Sequence, residues 1–377
     1  MTEPARETQR ETQRESPRES PREPPREPPR EPGPASAALL QAVGPLVAVA
    51  LALVVGAGFI AAVGKNPFAV YAHMASGVFG NAYGIGQVLF RATPLIFTGL
   101  AVALAFRAGL FNIGAEGQLV IGAFTAGVVG AAGKALPGVI LLPLTLLSGM
   151  AAAALWALPP ALLKAKLGAH EVINTIMMNF IALALVQYLG HFAFVHATVH
   201  TAEIGAGARI ARFESFLPGF RGSPLNLSLV LALACAVFVG WLLWRTKFGY
   251  ELRAVGLSPT AAEYAGIDVP RTWTLALCLS GALAGLVGAN FVQGYKGYFE
   301  SGFSAGIGFL GIAVALLGRN NPVGVVIAAL FFAALGYGGL VINTEVPKEL
   351  VEILQAIVIL FAITLHVVIE RWLRRRT

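Results

Sequence analysis

Aspartate occurs once in 377 residues, at Asp268, and cysteine twice, at Cys235 and Cys278. One aspartate leaves chemistry run on paired aspartates or on an Asp-fixed triad almost nothing to work with. The two cysteines lie far apart inside apolar runs, so neither a disulfide framework nor thiolate metal spacing exists. His191, His196 and His200 have no carboxylate support at metal-binding spacing. No Gly-Lys pair is followed by Ser or Thr, which excludes the common phosphate loop for ATP. Charge is scarce as well. Charged residues make up 12% of the chain, against roughly 25% in soluble domains.

The chain is instead 56% hydrophobic with a mean hydropathy of +0.71. A bilayer span needs about 20 apolar residues, and ten such runs can be read. They cover residues 37–63, 87–106, 109–131, 138–163, 171–195, 227–245, 272–292, 303–318, 322–342 and 350–369. The eighth is short and rich in Gly, residues 67–86 have room for an interfacial helix, and counts of nine to eleven fit the pattern. The expected fold class is therefore an all-α polytopic membrane protein of about ten transmembrane helices. Its parts are a tail over 1–34, a transmembrane domain over 35–371 and a basic end over 372–377.

The tail repeats Arg-Glu-Thr-Gln, Arg-Glu-Ser-Pro and Arg-Glu-Pro-Pro in four-residue steps, with seven Arg and eight Glu. Proline at this density opposes helix, and almost nothing apolar is present to bury, so disorder is expected. The net charge of +7 belongs elsewhere, in small groups of cations between apolar runs. That is a topology signal and not a nucleic-acid-binding stripe. Ten spans starting inside place twelve Lys and Arg on cytoplasmic loops and ends against seven outside. Both termini are then cytoplasmic.

Three polar stretches interrupt the apolar pattern. In Arg107-Ala-Gly-Leu-Phe-Asn-Ile-Gly-Ala-Glu-Gly-Gln, Glu116 lies inside a span, with Asn112 and Gln118 nearby and Gly114 and Gly117 permitting an unwound backbone. An intramembrane acid faces a bundle interior or water path by default; the bland alternative is an interfacial helix start capped by Asn112. In Glu171-Val-Ile-Asn-Thr-Ile-Met-Met-Asn, Asn174 and Asn179 either line the same path or bond another helix. Asn112, Glu116, Gln118, Asn174 and Asn179 are the candidate substrate-pathway residues.

The third stretch is the loop 246–271. Ser258 can cap a helix, Pro259 suits its first position, and Gly266 can end it. Ala261, Ala262 and Ala265 are expected on one small-residue face, with Glu251, Arg253 and Glu263 around it. Gly249, Glu251, Arg253, Gly256, Ser258, Pro259, Ala261, Ala262 and Gly266 are the candidate docking residues. Gly-rich openings at Gly109 and Gly302 sit five spans apart, an odd number, which predicts an inverted repeat with broken helices. Gly281-Ala-Leu-Ala-Gly285 fits close helix packing. Gly302-Phe-Ser-Ala-Gly lacks the strand-turn-helix context of a nucleophile elbow, so Ser304 reads as a packing residue.

As a set, these motifs resemble the permease subunits of bacterial ABC importers, in the branch serving ribose-type sugars and nucleosides. The stretches beginning at Phe106, Glu171, Thr246 and Gly308 carry the likeness, over about residues 40–370. The resemblance implies a transport subunit that is no enzyme, in the bacterial cell membrane. It implies no cofactor of its own, since ATP is bound by a cytoplasmic ABC ATPase. The other implied partners are a second permease subunit, usually a different chain, and an extracytoplasmic substrate-binding lipoprotein, with no nucleic acid. The expected cargo is a nucleoside. A simple-sugar permease and an ion-coupled secondary transporter using Glu116 are the alternatives, and a membrane-embedded lipid enzyme would need acidic or His-Glu clusters that are missing.

Overall fold

The computed structural model describes residues 34–374; the Arg-Glu-Pro repeats and residues 375–377 of the basic end lie outside them. In lipid every backbone polar group must be bonded within the protein, which leaves helices or closed barrels. This chain uses helices, and the described residues form only isolated bridges of β type. The elements are α1 (Pro34–Ala62), α2 (Pro67–Phe79), α3 (Ala82–Arg107), α4 (Ala115–Ala132), α5 (Gly138–Leu167) and α6 (Glu171–Ala193). After a loop with three short 3-10 turns come α7 (Ser228–Arg245), α8 (Lys247–Leu257), α9 (Pro259–Tyr264) and α10 (Val269–Gly285). A π-helical turn (Ala289–Lys296) extends α10, and α11 (Ile307–Leu317), α12 (Pro322–Val341) and α13 (Lys348–Arg374) complete the bundle.

A helix occupies each of the ten expected runs. Seven described helices are long and apolar enough to span a bilayer, or eight if a bent pair, residues 49–62 of α1 with α2, counts as one. That pair turns by 115°, so residues 67–86 do hold a separate helix, α2. Asn66 starts it, its side-chain oxygen accepting from the Phe68 amide at 3.0 Å. The short element is α11, whose 11 residues rise only about 16 Å of a ~30 Å core. The other half of its path is the non-helical stretch 297–306.

The bundle has two unlike ends. At one, α8 and α9 lie beside the end of α3, where Arg107 Nε donates to the Asn320 carbonyl at 3.0 Å. At the other, residues 194–226 and the 297–306 stretch form a cap joined by bridges between Phe194 and Thr201, His200 and Glu300, and Arg212 and Asn226. Between the ends, α3 runs through the interior with 89% of its apolar window buried. The windows of α5 and α6 are only 22% buried, leaving Val139, Leu155 and Phe192 outward as a lipid-facing surface.

Small residues set how closely the helices approach. A methyl built on Gly285 would lie 2.6 Å from the Gly149 carbonyl oxygen, and one on Gly281 2.6 Å from that of Ala153. Gly122 of α4 faces Gly285 in the same way, so α4, α5 and α10 meet backbone to backbone, as the 281–285 pattern predicts. Gly285→Val is expected to destabilise the protein by about 1–3 kcal/mol through overpacking. Thermal unfolding in detergent checks this, with Gly58→Val as the control, since nothing lies within 4 Å of a methyl there.

Candidate functional site

A cavity of about 650 Å³ occupies the half of the bundle nearest the 194–226 cap. Its walls include Gln87 and Arg91 of α3, Phe291 and Tyr295 of the π turn, and Phe303 of the interrupted stretch, with Glu352 and Gln355 of α13. Its floor is Pro94, Leu95, Ile307 and Leu310, at the level where α11 begins. The aromatic wall is continuous: Phe90 meets Phe291 at 5.6 Å and Tyr295 at 5.2 Å, and Phe291 meets Phe303 at 5.0 Å.

Pro94 shapes that wall. A proline inside a helix cannot bond the carbonyl four residues earlier, here Phe90. Asn290 takes over, its Nδ2 donating to the Phe90 carbonyl at 3.2 Å. The Asn290 side-chain oxygen accepts in turn from Ser228 Oγ at 3.0 Å and Asn226 Nδ2 at 3.2 Å. The π turn is thereby tied to α3 and α7, and it carries Phe291 and Tyr295 into the cavity. Such turns arise mostly where function needs a side chain re-aimed.

Behind the floor the chain is interrupted twice. Residues 108–114 leave helix before α4, and residues 297–306 do so before α11. Phe299 packs at Gly127 while Gly306 and Gly308 meet Glu116, so the second stretch runs antiparallel to α4. The two Gly-rich openings therefore lead into their helices from opposite directions. Glu116, 5% exposed, lies in the first turn of α4, and its oxygens accept from the Gly306 amide at 3.2 Å and the Gly308 amide at 2.6 Å. Gly308 has to be glycine, because a methyl there would run into the Glu116 backbone. The carboxylate thus sits in the first turn of α4 and bonds the N-terminus of α11, both places where the helix dipole favours negative charge.

The same economy holds for 108–114. Asn112 Nδ2 donates to Gln118 Oε1 at 2.9 Å and Ser280 Oγ at 2.8 Å, and its oxygen accepts from the Gly114 amide at 3.0 Å. Asn179 Oδ1 accepts from the Gly117 amide at 2.8 Å, and its Nδ2 donates to the Ile113 carbonyl at 2.9 Å. Trp273 Nε1 reaches the Ala108 carbonyl at 3.2 Å. Non-helical backbone at membrane depth is tolerated when protein groups satisfy it in this way. The structure thus gathers Asn112, Glu116, Gln118 and Asn179 into one buried network behind the cavity, not on its lining. Asn174 stays apart, half-buried, its Nδ2 without a hydrogen-bond partner.

At the opposite end, Gly249 lets α8 fold back close to α7, and Ser258 Oγ caps α9 by accepting from the Ala261 amide at 3.3 Å. Arg253 Nε donates to the Gly249 carbonyl at 3.3 Å, Lys247 pairs loosely with Glu251 at 3.6 Å, and Gly266 closes the turn at φ +81°. The expected face of three alanines does not form. Adjacent positions on a helix point about 100° apart, so Ala262 turns inward against Val255 and Val269 while Ala261 and Ala265 face out. Gly256 is also internal, resting on the backbone of Arg107 and Gly109. The outward surface carries Leu257, 89% exposed, and Tyr264, 91% exposed.

The cavity residues were the least visible in the sequence. Arg91 did leave a trace, as a cation inside an apolar run, which marks a functional site by default. The aromatics look like ordinary core, and Glu352 and Gln355 join them only through folding.

Comparison with known proteins bears on the whole bundle. Residues 84–363 match the family model described as branched-chain amino acid transport system / permease component. The chain is 42% identical to the guanosine ABC transporter permease protein of Bacillus subtilis strain 168, over 84% of this chain and 91% of the relative. It is 39% identical to the glucose ABC transporter permease protein of Haloferax volcanii, over 85% and 86% of the two chains. The nucleoside ABC transporter permease protein of Lactococcus lactis subsp. cremoris is 37% identical over 84% of this chain and 89% of its own.

Removing the shared carboxylate with Glu116→Ala is expected to cost about 2–3 kcal/mol, the range for hydrogen bonds to a charged group. Amide exchange at Gly306 and Gly308 should accelerate before that of the α12 core. Glu116→Gln, which keeps one acceptor, should fall between the two in thermal unfolding.

Proposed function

We propose a cargo, a motor and an orientation for a chain that belongs to the permease-component family of branched-chain amino acid transport systems, and that is a transport subunit spanning the membrane. The cargo is a nucleoside, moved into the cell by alternating access. The motor is a separate ABC ATPase docked on α8 and α9. The α8–α9 end and both termini face the bacterial cytoplasm, and the capped end receives cargo from an extracytoplasmic binding lipoprotein. A second, different permease chain completes the transporter.

The observation that carries the motor assignment is the pair Leu257 and Tyr264. Two large, largely apolar side chains, 89% and 91% exposed on a polar loop, give a partner an apolar surface to cover. The backbone supplies the lever. Movement of α9 presses Gly256 against Arg107 and Gly109, and so reaches the start of the 108–114 stretch. That stretch leads into Glu116, which holds the start of α11 and with it the cavity floor. In this reading Asn112 and Asn179 keep the moving backbone bonded, and Asn112, Gln118, Asn174 and Asn179 border the path when the floor opens.

The nucleoside assignment draws on the guanosine and nucleoside relatives and on the cavity. Its volume lies within the roughly 300–1,000 Å³ of small-ligand sites, and its aromatic wall offers stacking. A simple sugar is the second reading, favoured by the Haloferax relative. Competition between guanosine and glucose for uptake separates them.

Tyr264→Asp and Leu257→Asp are each expected to lower co-purification of the ATPase at least about tenfold, as loss of a buried interface anchor does, without loss of membrane insertion. Wild-type association would overturn the docking surface. In proteoliposomes holding the assembled transporter, uptake should require ATP. Transport by this chain alone, or uptake that survives ATP depletion and collapses with an uncoupler, would overturn the motor.

A further inference from the structure

We infer that Arg91 is the specificity-determining residue of the cavity and that it reads the paired acceptor edge of a 6-oxopurine, the guanosine and inosine class; this rests on the nucleoside reading above. Arg91 stands about three turns into α3, a helix whose other charged residue, Arg107, is its last. Among the described residues no carboxylate lies within ion-pair distance of it. Its Nε is buried without a hydrogen-bond partner, and its ring contact is with Tyr337, 6.0 Å away. Asn112, Glu116, Asn179 and Asn290 around the interruptions are bonded, and the other buried side-chain atoms without a partner, Asn174 Nδ2, Gln293 Oε1 and Asn320 Oδ1, belong to residues off the cavity lining. A buried donor left open on a charged group is costly. Here it borders the cavity, where a ligand can complete it.

The chemistry of the fork narrows the ligand. A guanidinium offers parallel N–H donors in one plane, suited to two acceptors side by side on a flat rim. The O6 and N7 atoms of a 6-oxopurine form that pair. Adenine keeps N7 but replaces O6 with a donating amino group, which faces the fork donor to donor. A pyrimidine has a single keto oxygen on the corresponding edge, and a sugar has no planar pair. Phe291, Tyr295 and Phe303 supply the faces for a stacked ring, and Glu352 offers an acceptor elsewhere on the wall for the N–H groups of a guanine.

The test uses the complete transporter, with its ATPase and binding lipoprotein, in proteoliposomes. Initial uptake of guanosine, inosine and adenosine is measured for wild type, Arg91→Lys and Arg91→Met. Arg91→Lys keeps the charge and removes the planar fork; co-purified ATPase reports assembly of each variant. The ratio of guanosine to adenosine uptake, and of inosine to adenosine uptake, is expected to fall at least about tenfold in both variants, the loss of one bidentate contact. Unchanged ratios in an assembled variant, whether from wild-type rates or from equal loss of all three nucleosides, would overturn the role of Arg91 alone. A wild-type transporter that moves none of the three would overturn the nucleoside reading, and the inference with it.

Discussion

A carboxylate near the middle of an apolar bundle must find strong donors or lose its place, and Glu116, on one interrupted helix, finds them at the start of another. It belongs to the first turn of α4 and accepts the amides of Gly306 and Gly308 at the start of α11. Neither helix can begin at this depth without a partner for its free N–H groups. Because Glu116 sits at the start of α4 and bonds the start of α11, the two breaks are locked at the same level. The floor of the cavity follows, since Ile307 and Leu310 are placed by where α11 begins.

The rest of the interior shows the same constraint. Lipid offers no hydrogen bonds, so each departure from helix is matched by a side chain from elsewhere. Pro94 frees the Phe90 carbonyl and Asn290 takes it; residues 108–114 unwind and Asn112, Asn179 and Trp273 bond them. Close contact supplies the remaining cohesion, with Gly122, Gly149 and Gly285 bringing three helices together by their backbones. The polar residues within this membrane domain are thus mostly structural. Arg91, unbonded at Nε beside a cavity, stands out against that background.

Seen as a machine, the bundle joins a cavity at one end to an exposed apolar surface at the other. The link is a short run of backbone contacts through Gly256, Gly109 and the 108–114 stretch. Stiff helices flank it and two broken ones lie at its centre.

Hydropathy alone determined that this chain enters a membrane as helices, because runs of about 20 apolar residues have no other stable form there. The caps at Ser258 and Pro259, the packing glycines 281 and 285 and the paired Gly-rich openings were also legible, since each rests on local backbone chemistry. Only the tertiary structure decided that α11 crosses half the bilayer, because length in sequence does not say where a loop dips. It decided that Ala262 faces inward and Tyr264 outward, because a six-residue helix takes its orientation from what it packs against. It decided, finally, that Arg91, Phe291, Tyr295, Phe303 and Glu352 share one cavity. They lie up to 261 positions apart (352 − 91), and no local rule of spacing brings such residues together; the packing of the helices does.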